Sequence, residues 1–447
     1  MEEAPMHISM YPWLAFGHIS PFVQLSNKLA QRGHRISIFI PTRTLSKLQH
    51  LNLHPHLITF IPITVPHVEG LVPYGAETTS DVDPSLIPLL MTAMDRTQNQ
   101  VEDLLIQLKP NIVFFDFTHW LPDLARRLGI KSVQYFITGL VASAYHISRE
   151  NPSIDGFPDK SIRLHKHEEK NHERIKEMEF GNGVRFVDRL EWGGRSADAI
   201  AHRSCREIEG PFVDYLEKVR GKRILLSGPV IPESQTSTLE PKWDHWLAGF
   251  KHGSVIYCAF GSESDFELPQ FQELLLGLEL SGMPFFVAVK PPKGYDSVEA
   301  GFPEGFEERV RGRGIVHGGW VQQQLILKHP SVGCFVTHSG ASSMLEALLS
   351  QCQLVFLVPP VTSDQMFIAR LFAQSFRAGV EVKKGEEDGL FTKESVCEAV
   401  KSVMDEESEI GKEVRANHAK LRNILLSDNF ESNYIDNFCH QLQDLLR

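Results

Sequence analysis

The stretch GCFVTHSGASSMLE, residues 333–346, decides the fold, because an apolar run ends in a histidine and passes directly into small residues and a glutamate. The spacing predicts a strand end, a tight turn and the first turn of a helix. Backbone N–H groups at a helix start can hold an anion. His338 and Ser343 would add donors, and Glu346 would accept hydrogen bonds from hydroxyl groups. On this stretch alone, a capping box between Ser343 and Glu346 is the simpler explanation.

The composition describes an ordinary globular protein with two domains. With 447 residues, the chain exceeds the size at which one core keeps growing. A net charge of −11 argues against a nucleic-acid partner, which would require a basic face. The six cysteines form no CxxC pair, so we expect no disulfide or zinc framework, and a reducing, cytoplasmic location.

The first ten residues, MEEAPMHISM, lack the basic start and apolar stretch of a signal peptide. No apolar run approaches the roughly 20 residues that a membrane helix requires. We therefore expect no membrane insertion, and we expect a monomer.

Strand-like and helix-like segments alternate along the chain. Residues 7–14 read as a strand, 20–32 as a helix, 35–41 as a strand and 84–109 as one long helix. This order predicts an α/β fold with a parallel sheet covered by helices. Between Pro152 and Glu179, the charged segment with His165, His167 and His172 reads as a surface helix or loop rather than a metal site.

A segment rich in proline, serine and threonine at residues 227–246 interrupts the alternation, which then restarts. The sequence therefore predicts two Rossmann-like, doubly wound domains. Their boundaries are 1–235 for the first and 236–430 for the second, with a C-terminal helix at 431–447 that packs back on the first domain.

Three common site patterns are missing from the sequence. It contains neither G-x-x-x-x-G-K-[ST] nor G-x-G-x-x-G after a strand, and SGASSM lacks the last glycine of G-x-S-x-G. A hydride-transfer enzyme and a serine hydrolase are therefore weak candidates.

His18 follows the strand predicted at residues 7–14, and Asp116 lies at or near the end of the strand predicted in NIVFFDF, residues 111–117. Strand ends of parallel sheets form ligand sites, and a buried carboxylate beside an imidazole makes that imidazole a general base. Taken alone, His18 fits a histidine near a helix start equally well, and Asp116 fits an N-cap better.

Two further positions have the chemistry of a nucleotide site. Ser262 follows a strand, as a turn residue or a phosphate contact. Trp320 and Gln323 offer an aromatic plane and an amide, which suit a uracil base, although a lone tryptophan is more often core.

Read together, these positions resemble a known family. Residues 320–365, WVQQQLILKHPSVGCFVTHSGASSMLEALLSQCQLVFLVPPVTSDQ, resemble the signature box of plant UDP-sugar-dependent glycosyltransferases. The segments GHISP (17–21), CREIEG (205–210) and FGS (260–262) extend the resemblance over nearly the whole chain. It implies the GT-B architecture, with the acceptor in the first domain and the nucleotide sugar in the second. It also implies inverting transfer without a metal or cofactor, the UDP-sugar being a co-substrate.

By this resemblance, Trp320 stacks on uracil, Gln323 borders the base and Glu346 holds the ribose. His338, Ser343 and the helix start hold the diphosphate, and Asp364 and Gln365 meet the sugar. The complete predicted donor site is Ser262, Trp320, Val321, Gln323, His338, Gly340, Ser342, Ser343, Glu346, Asp364 and Gln365, with Thr138 from the other domain.

The box departs from the family at several positions. Ala341-Ser342 stands where the family has Trp-Asn, Gln351-Cys352-Gln353 replaces Gly-Val-Pro, and the interval from Glu346 to Asp364 is long. These departures bear on which sugar is transferred, for which we predict glucose.

The segments FFDFTHWLP, CREIEG and LLSQCQ resemble the branch-forming members of the family, which extend existing glycosides. We therefore expect a flavonoid or anthocyanin glycoside as the acceptor. It would bind between Trp13, Phe16, Phe117 and Trp120, with His119 or Thr118 bonded to its sugar. The alternatives are a flavonoid or terpenoid aglycone as acceptor, and a protein that binds nucleotide sugars without turnover.

Overall fold

The computed structural model describes residues 4–150, 156–233, 238–261, 264–359 and 364–447. The strands are β1 (His7–Tyr11), β2 (Arg35–Pro41), β3 (Ile58–Ile63), β4 (Ile112–Phe115), β5 (Lys131–Phe136), β6 (Ala199–His202), β7 (Ile224–Leu226), β8 (Val255–Ala259), β9 (Phe285–Ala288), β10 (Gly314–His317), β11 (Val332–Thr337), β12 (Gln353–Phe356) and β13 (Gly379–Glu381). The helices are α1 (Phe16–Ala30), α2 (Leu45–Leu48), α3 (Ile87–Asp95), α4 (Gln98–Leu108), α5 (Leu121–Arg127), α6 (Leu140–Glu150), α7 (Lys166–Glu177), α8 (Phe186–Ser196), α9 (Arg206–Arg220), α10 (Pro241–Ala248), α11 (Leu268–Ser281), α12 (Phe306–Arg309), α13 (Gln323–Leu327), α14 (Ala341–Leu348), α15 (Gln365–Arg370), α16 (Lys393–Met404), α17 (Glu409–Leu425) and α18 (Phe430–Asp444).

The chain forms two compact units. The first comprises Met1–Pro158, Glu173–Pro232 and Asn429–Arg447, and the second comprises Asp159–His172 and Glu233–Asp428. The units divide within the segment for which the sequence predicts a linker. Residues 159–172, which the sequence assigns to the first domain, belong to the second unit, so helix α7 contributes residues to both.

The first unit contains a parallel sheet in the order β3-β2-β1-β4-β5-β6-β7. Successive residues alternate between its two faces. Met10 and Phe114 belong to the core beneath α1 and α18, whereas Tyr11 and Phe115 belong to the core beneath α3 and α4. The order reverses between β1 and β4, the point at which doubly wound sheets bind ligands.

The second unit contains a parallel sheet in the order β10-β9-β8-β11-β12-β13. Its strand order reverses between β8 and β11. The main core lies between β8, β9, β11 and β12 on one side and α11 and α16 on the other. The prediction of two doubly wound parallel sheets is therefore confirmed.

Helix α1 starts earlier than the sequence predicts. It begins at Phe16 because the amides of His18 and Ile19 both donate to the carbonyl of Ala15, each at 2.9 Å. The prediction that His18 precedes the helix is therefore wrong, and His18 lies in its first turn.

The single helix predicted for residues 84–109 is also wrong, because the structure divides it into α3 and α4. The Thr97 hydroxyl donates to the Met94 carbonyl at 2.6 Å and lies 2.7 Å from the Tyr11 hydroxyl. Threonine hydroxyls that bond to the local backbone compete with helix continuation.

The C-terminal helix α18 packs within the first unit. Ile435 and Phe438 join the core above β1 and β4. At the edge of this contact, Lys28 Nζ lies 3.1 Å from a Glu431 carboxylate oxygen, and Arg32 Nε lies 2.8 Å from that of Asp436.

Residues 165–172 form the start of helix α7 and the residue before it, and His165 Nδ1 lies 2.5 Å from a Glu386 oxygen. Within the part of the chain that the structure describes, no helix has both the length and the apolar character needed to span a membrane.

Candidate active site

His18 and Asp116 meet at the reversal point of the first sheet. His18 is carried by the first turn of α1, and Asp116 follows directly after β4. Because β1 and β4 are neighbours, with Tyr11 paired to Phe115, their carboxyl ends lie side by side. His18 Nδ1 lies 2.8 Å from Asp116 Oδ2, with 19% of the histidine side chain exposed and 4% of the aspartate.

The Asp116 carboxylate is fixed on both oxygens. Oδ2 also accepts from the Trp13 amide at 2.9 Å, and Oδ1 accepts from the Phe117 amide at 2.7 Å. The Asp116 carbonyl accepts from Gln134 Nε2 at 3.0 Å. An ionised carboxylate only accepts, so His18 Nδ1 must donate and its Nε2 presents a lone pair. This arrangement is that of a general base with an orienting carboxylate.

The predicted acceptor residues occupy different environments. The Phe117 ring lies 5.2 Å from the His18 ring, and the buried Trp13 ring lies 6.1 Å from Phe117, measured between centroids. Trp120 donates its indole N–H to Asp95 Oδ1 at 3.0 Å. Phe16 is half-buried beneath Lys47, whose Nζ lies 5.6 Å from the ring centre.

In the second unit, β11 ends at Thr337 and α14 starts at Ala341, with Gly340 as its N-cap. His338 is buried, and its Nδ1 has no hydrogen-bond partner among the residues that the structure describes. Burial lowers the pKa of His338 to about 4, so the ring is neutral at physiological pH. A neutral imidazole with a buried, unpaired nitrogen beside a helix start can bind an anion.

The turn between β11 and α14 has a special backbone conformation. Ser339 has a φ of 67°, in the left-handed region, and its amide donates to Thr337 Oγ1 at 3.3 Å. Its own hydroxyl is buried, and no described residue hydrogen-bonds to it. Strained residues of this kind cluster at functional sites.

The predicted capping box is wrong. Because α14 begins at Ala341, Ser343 lies inside its first turn and is not the N-cap. Ser343 Oγ instead accepts from Gln323 Nε2 at 3.2 Å, which joins it to the site.

Two neighbouring amides hold the Glu346 carboxylate. Gln323 Nε2 donates to Oε2 at 2.8 Å, and Gln324 Nε2 donates to Oε1 at 3.1 Å. Tyr257 donates its hydroxyl to Gln323 Oε1 at 3.3 Å, and burial together with Glu346 raises the pKa of Tyr257 well above its ordinary value. The Glu346 carboxylate is therefore held in one orientation, in which it can accept hydrogen bonds from a diol.

Trp320 is 75% exposed, while the adjacent Val321 is buried. Because Val321 anchors this segment, the exposed Trp320 ring is available for stacking. The alternative that Trp320 belongs to the core is therefore wrong.

Asp364 is the N-cap of α15 and Gln365 is its first residue. Ser342 lies in the first turn of α14, and Thr138 lies in the first unit, just after β5. The predicted phosphate contact Ser262 lies outside the described residues.

Sequence reasoning missed Gln134, Tyr257 and Gln324. Gln324 stands in the run QQQ, but nothing in a glutamine run indicates which amide reaches a glutamate on another helix. Gln134 and Tyr257 lie within SVQYFI (132–137) and SVIYCAFGS (254–262), runs that the sequence predicts to be strands, where they read as ordinary sheet residues.

Comparison with known proteins gives a consistent result. The family described as "UDP-glucoronosyl and UDP-glucosyl transferase" matches residues 312–418. The chain is 58% identical over 459 residues to a cyanidin 3-O-galactoside 2''-O-xylosyltransferase of Actinidia chinensis var. chinensis, covering 100% of both. It is 53% identical over 453 residues to an anthocyanidin 3-O-glucoside 2''-O-glucosyltransferase of Ipomoea nil, covering 98% of both.

Solved structures show the same architecture. A UDP-glucosyltransferase from Polygonum tinctorium superposes with a TM-score of 0.80 at 22% identity, covering 99% of both chains. Arabidopsis thaliana UGT89C1 in complex with UDP-L-rhamnose superposes with a TM-score of 0.80 at 21% identity, covering 100% of both. At this identity the likeness supports the fold alone, which is GT-B as the sequence predicts.

Proposed function

Because the chain belongs to the family of UDP-sugar-dependent glycosyltransferases and is an enzyme of that class, we propose that it transfers glucose to a sugar hydroxyl of a flavonoid or anthocyanin glycoside. The observation that carries the proposal is the His18–Asp116 contact of 2.8 Å at the reversal point of the first sheet. The acceptor class rests on the relatives, whose names describe transfer to a sugar that is already attached.

In the proposed reaction, His18 Nε2 takes the proton of the acceptor hydroxyl. The hydroxyl oxygen forms a bond to the anomeric carbon as the bond from that carbon to the UDP oxygen breaks. A single displacement of this kind inverts the anomeric centre. The imidazolium formed on His18 is stabilised by the Asp116 carboxylate, which keeps its charge throughout.

We assign the departing diphosphate to the turn between β11 and α14. His338, Ser343 and the start of α14 supply fixed donors where negative charge grows, which is the effect that oxyanion sites use. Ser262, which lies outside the described residues, is retained as a predicted contact. The reaction proposed here needs no metal, and unchanged turnover in excess EDTA is the expected result.

Other residues bind the rest of the UDP-sugar. Glu346, fixed by Gln323 and Gln324, accepts the two ribose hydroxyls, and exposed Trp320 stacks on uracil. Asp364 and Gln365 contact the transferred sugar, and Gly340, Ser342 and Val321 shape the surrounding backbone. Thr138 is proposed as a sugar contact from the first unit.

The identity of the transferred sugar is the most specific part of the proposal. The relatives divide between xylosyl and glucosyl transfer. We propose glucose because Asp364 and Gln365 together can accept from and donate to several equatorial hydroxyls. A preference for UDP-xylose in direct competition would overturn this choice without affecting the transferase assignment.

The experiment is a product analysis by mass spectrometry with UDP-glucose and UDP-xylose, each offered with a flavonoid 3-O-glucoside or its aglycone. The expected product is a disaccharide flavonoid from the 3-O-glucoside. Equal or better turnover of the aglycone, with sugar on a phenolic oxygen, would contradict the acceptor. UDP binding without UDP release for every acceptor would favour the alternative of a binding protein.

We also propose a cytoplasmic location. All six cysteines are buried thiols outside any disulfide, and cysteines that form no disulfide are typical of a reducing compartment. Imaging of a fluorescent fusion in plant cells tests this, and a signal confined to the secretory pathway would contradict it.

A further inference from the structure

Helix α8 and the loop after β4 form a polar contact around a buried arginine. Arg189 is fully buried, and its Nη1 and Nη2 donate to the two oxygens of Asp95 at 3.0 and 2.6 Å. Nη2 also donates to the Gly181 carbonyl at 2.7 Å. Asp95 in turn accepts from Trp120 and Asn182, so the guanidinium has one fixed position.

This guanidinium determines the tautomer of His119. Arg189 Nη1 lies 3.0 Å from His119 Nδ1, and because arginine only donates, Nδ1 must accept. Burial and the charge of Arg189 both lower the pKa of His119, which favours the neutral ring. The single ring proton then lies on Nε2, for which no acceptor occurs among the described residues.

Trp192 provides an aromatic surface next to this donor. It is 45% exposed, and its ring lies 5.6 Å from the His119 ring. An exposed indole beside a directed N–H is a combination that suits a pyranose, which has an apolar C–H face and polar hydroxyl edges.

Both side chains belong to elements that carry or contact Phe117, a neighbour of the catalytic base. Three residues of α8, spaced three positions apart, contact the loop after β4. The ring centres of Phe186 and Phe117 lie 5.5 Å apart, Arg189 donates to His119, and the Trp192 ring contacts that of His119. Residues at this spacing share one helix face. Phe117 itself lies 5.2 Å from His18, so the same loop joins His119 to the base.

We propose that His119 and Trp192 form the subsite for the sugar already attached to the acceptor. His119 Nε2 donates to a hydroxyl of that sugar, and the Trp192 ring packs on its apolar face. The inference rests on the proposed function. Of the two residues that the sequence offers for the acceptor's own sugar it selects His119, and it adds Trp192.

The test compares two amides at position 119. His119→Asn keeps a carbonyl near Nδ1, where it still accepts from Arg189, but has no donor at the ε position. His119→Gln reaches the ε position with an amide N–H but leaves Arg189 without its δ acceptor. A binding role predicts that kcat/KM for a flavonoid 3-O-glucoside falls about 10- to 100-fold in His119→Asn and less in His119→Gln. A purely structural role predicts the reverse order, together with a lower Tm for His119→Gln.

Trp192→Phe and Trp192→Ala extend the test at a partly exposed position. Trp192→Ala should raise KM for the glucoside more than Trp192→Phe, which keeps an aromatic face. His50→Asn, at an exposed histidine of the same unit, is the matched control. A second test uses flavonoid glucosides that each lack one hydroxyl of the attached glucose. Wild-type enzyme should lose activity when the hydroxyl that accepts from His119 is missing, whereas the activity of His119→Asn should not change with that deletion.

Two failures can be told apart. Wild-type transfer to aglycones only would overturn the proposed acceptor and this subsite together. Normal transfer to glucosides, with equal kcat/KM in His119→Asn, His119→Gln and wild type, would overturn the subsite alone.

Discussion

A histidine that removes a proton from a sugar hydroxyl needs a lone pair held in one direction, and Asp116 holds it here. His18→Ala should lower kcat about 10²- to 10⁴-fold, the usual contribution of general-base catalysis. Asp116→Ala should cost less, because the imidazole remains. Steady-state kinetics measures the loss of kcat. Calorimetric titration with UDP is the control, and the affinity for UDP should be unchanged. Near-normal turnover in His18→Ala would contradict the assignment.

The amide pair at Glu346 leads to a second prediction at the residue scale. Gln324 donates to Glu346 Oε1 at 3.1 Å, so Gln324→Leu should let the carboxylate turn and raise KM for the UDP-sugar up to about tenfold, with a smaller change in kcat.

Gln322→Leu is the matched control for Gln324→Leu. Gln322 accepts from the Glu240 amide at 2.7 Å and donates to the Thr238 carbonyl at 3.0 Å, and neither bond involves Glu346. Equal changes in KM for the two variants would show that Gln324 acts only on local stability.

The pairing of His18 with Asp116 could be predicted from the sequence, because both follow strands of one parallel sheet. The contact of Arg189 with His119 could not, since it joins residues 70 positions apart through side chains. Periodicity identifies which face a residue occupies but not which partner its polar atoms reach.

At the scale of elements, the turn between β11 and α14 requires a residue without a side chain. A Cβ at Gly340 would lie 2.5 Å from His338 Nε2. Gly340→Ala should therefore displace the imidazole and raise KM for the UDP-sugar several-fold, as measured by initial rates.

Gly210→Ala, in helix α9, serves as the control, because a Cβ there meets only the Arg206 side chain at 3.7 Å. Gly340→Ala with wild-type kinetics would mean that the His338 ring is free to move and does not position the donor.

The alternation of strands and helices could be predicted, whereas several helix ends could not. Helix α1 begins before Pro21 because the Ala15 carbonyl accepts two amides, and a bond between threonine and the backbone ends α3. Each end depends on one or two local hydrogen bonds, which hydrophobic periodicity does not record.

At the scale of the whole molecule, three buried histidines make stability depend on pH. Burial lowers the pKa of His338 and His418 to about 4 and that of His202 to about 3. In the unfolded chain the ordinary value is 6.5. Between about pH 4 and 6.5 the unfolded state therefore binds more protons, so the free energy of unfolding falls as the pH falls.

From pH 7 to pH 5, each of these histidines should remove roughly 2 kcal/mol from the free energy of unfolding of its unit. Thermal unfolding should accordingly give a lower Tm at pH 5 than at pH 7. His418→Gln removes one of the three titrating groups and should reduce this difference, whereas His56→Gln, at an exposed position, should leave it unchanged. A Tm that is equal at both pH values, or higher at pH 5, would mean that these rings accept protons in the folded protein as readily as in the unfolded chain. The neutral His338 that the proposed diphosphate site requires would then be excluded as well.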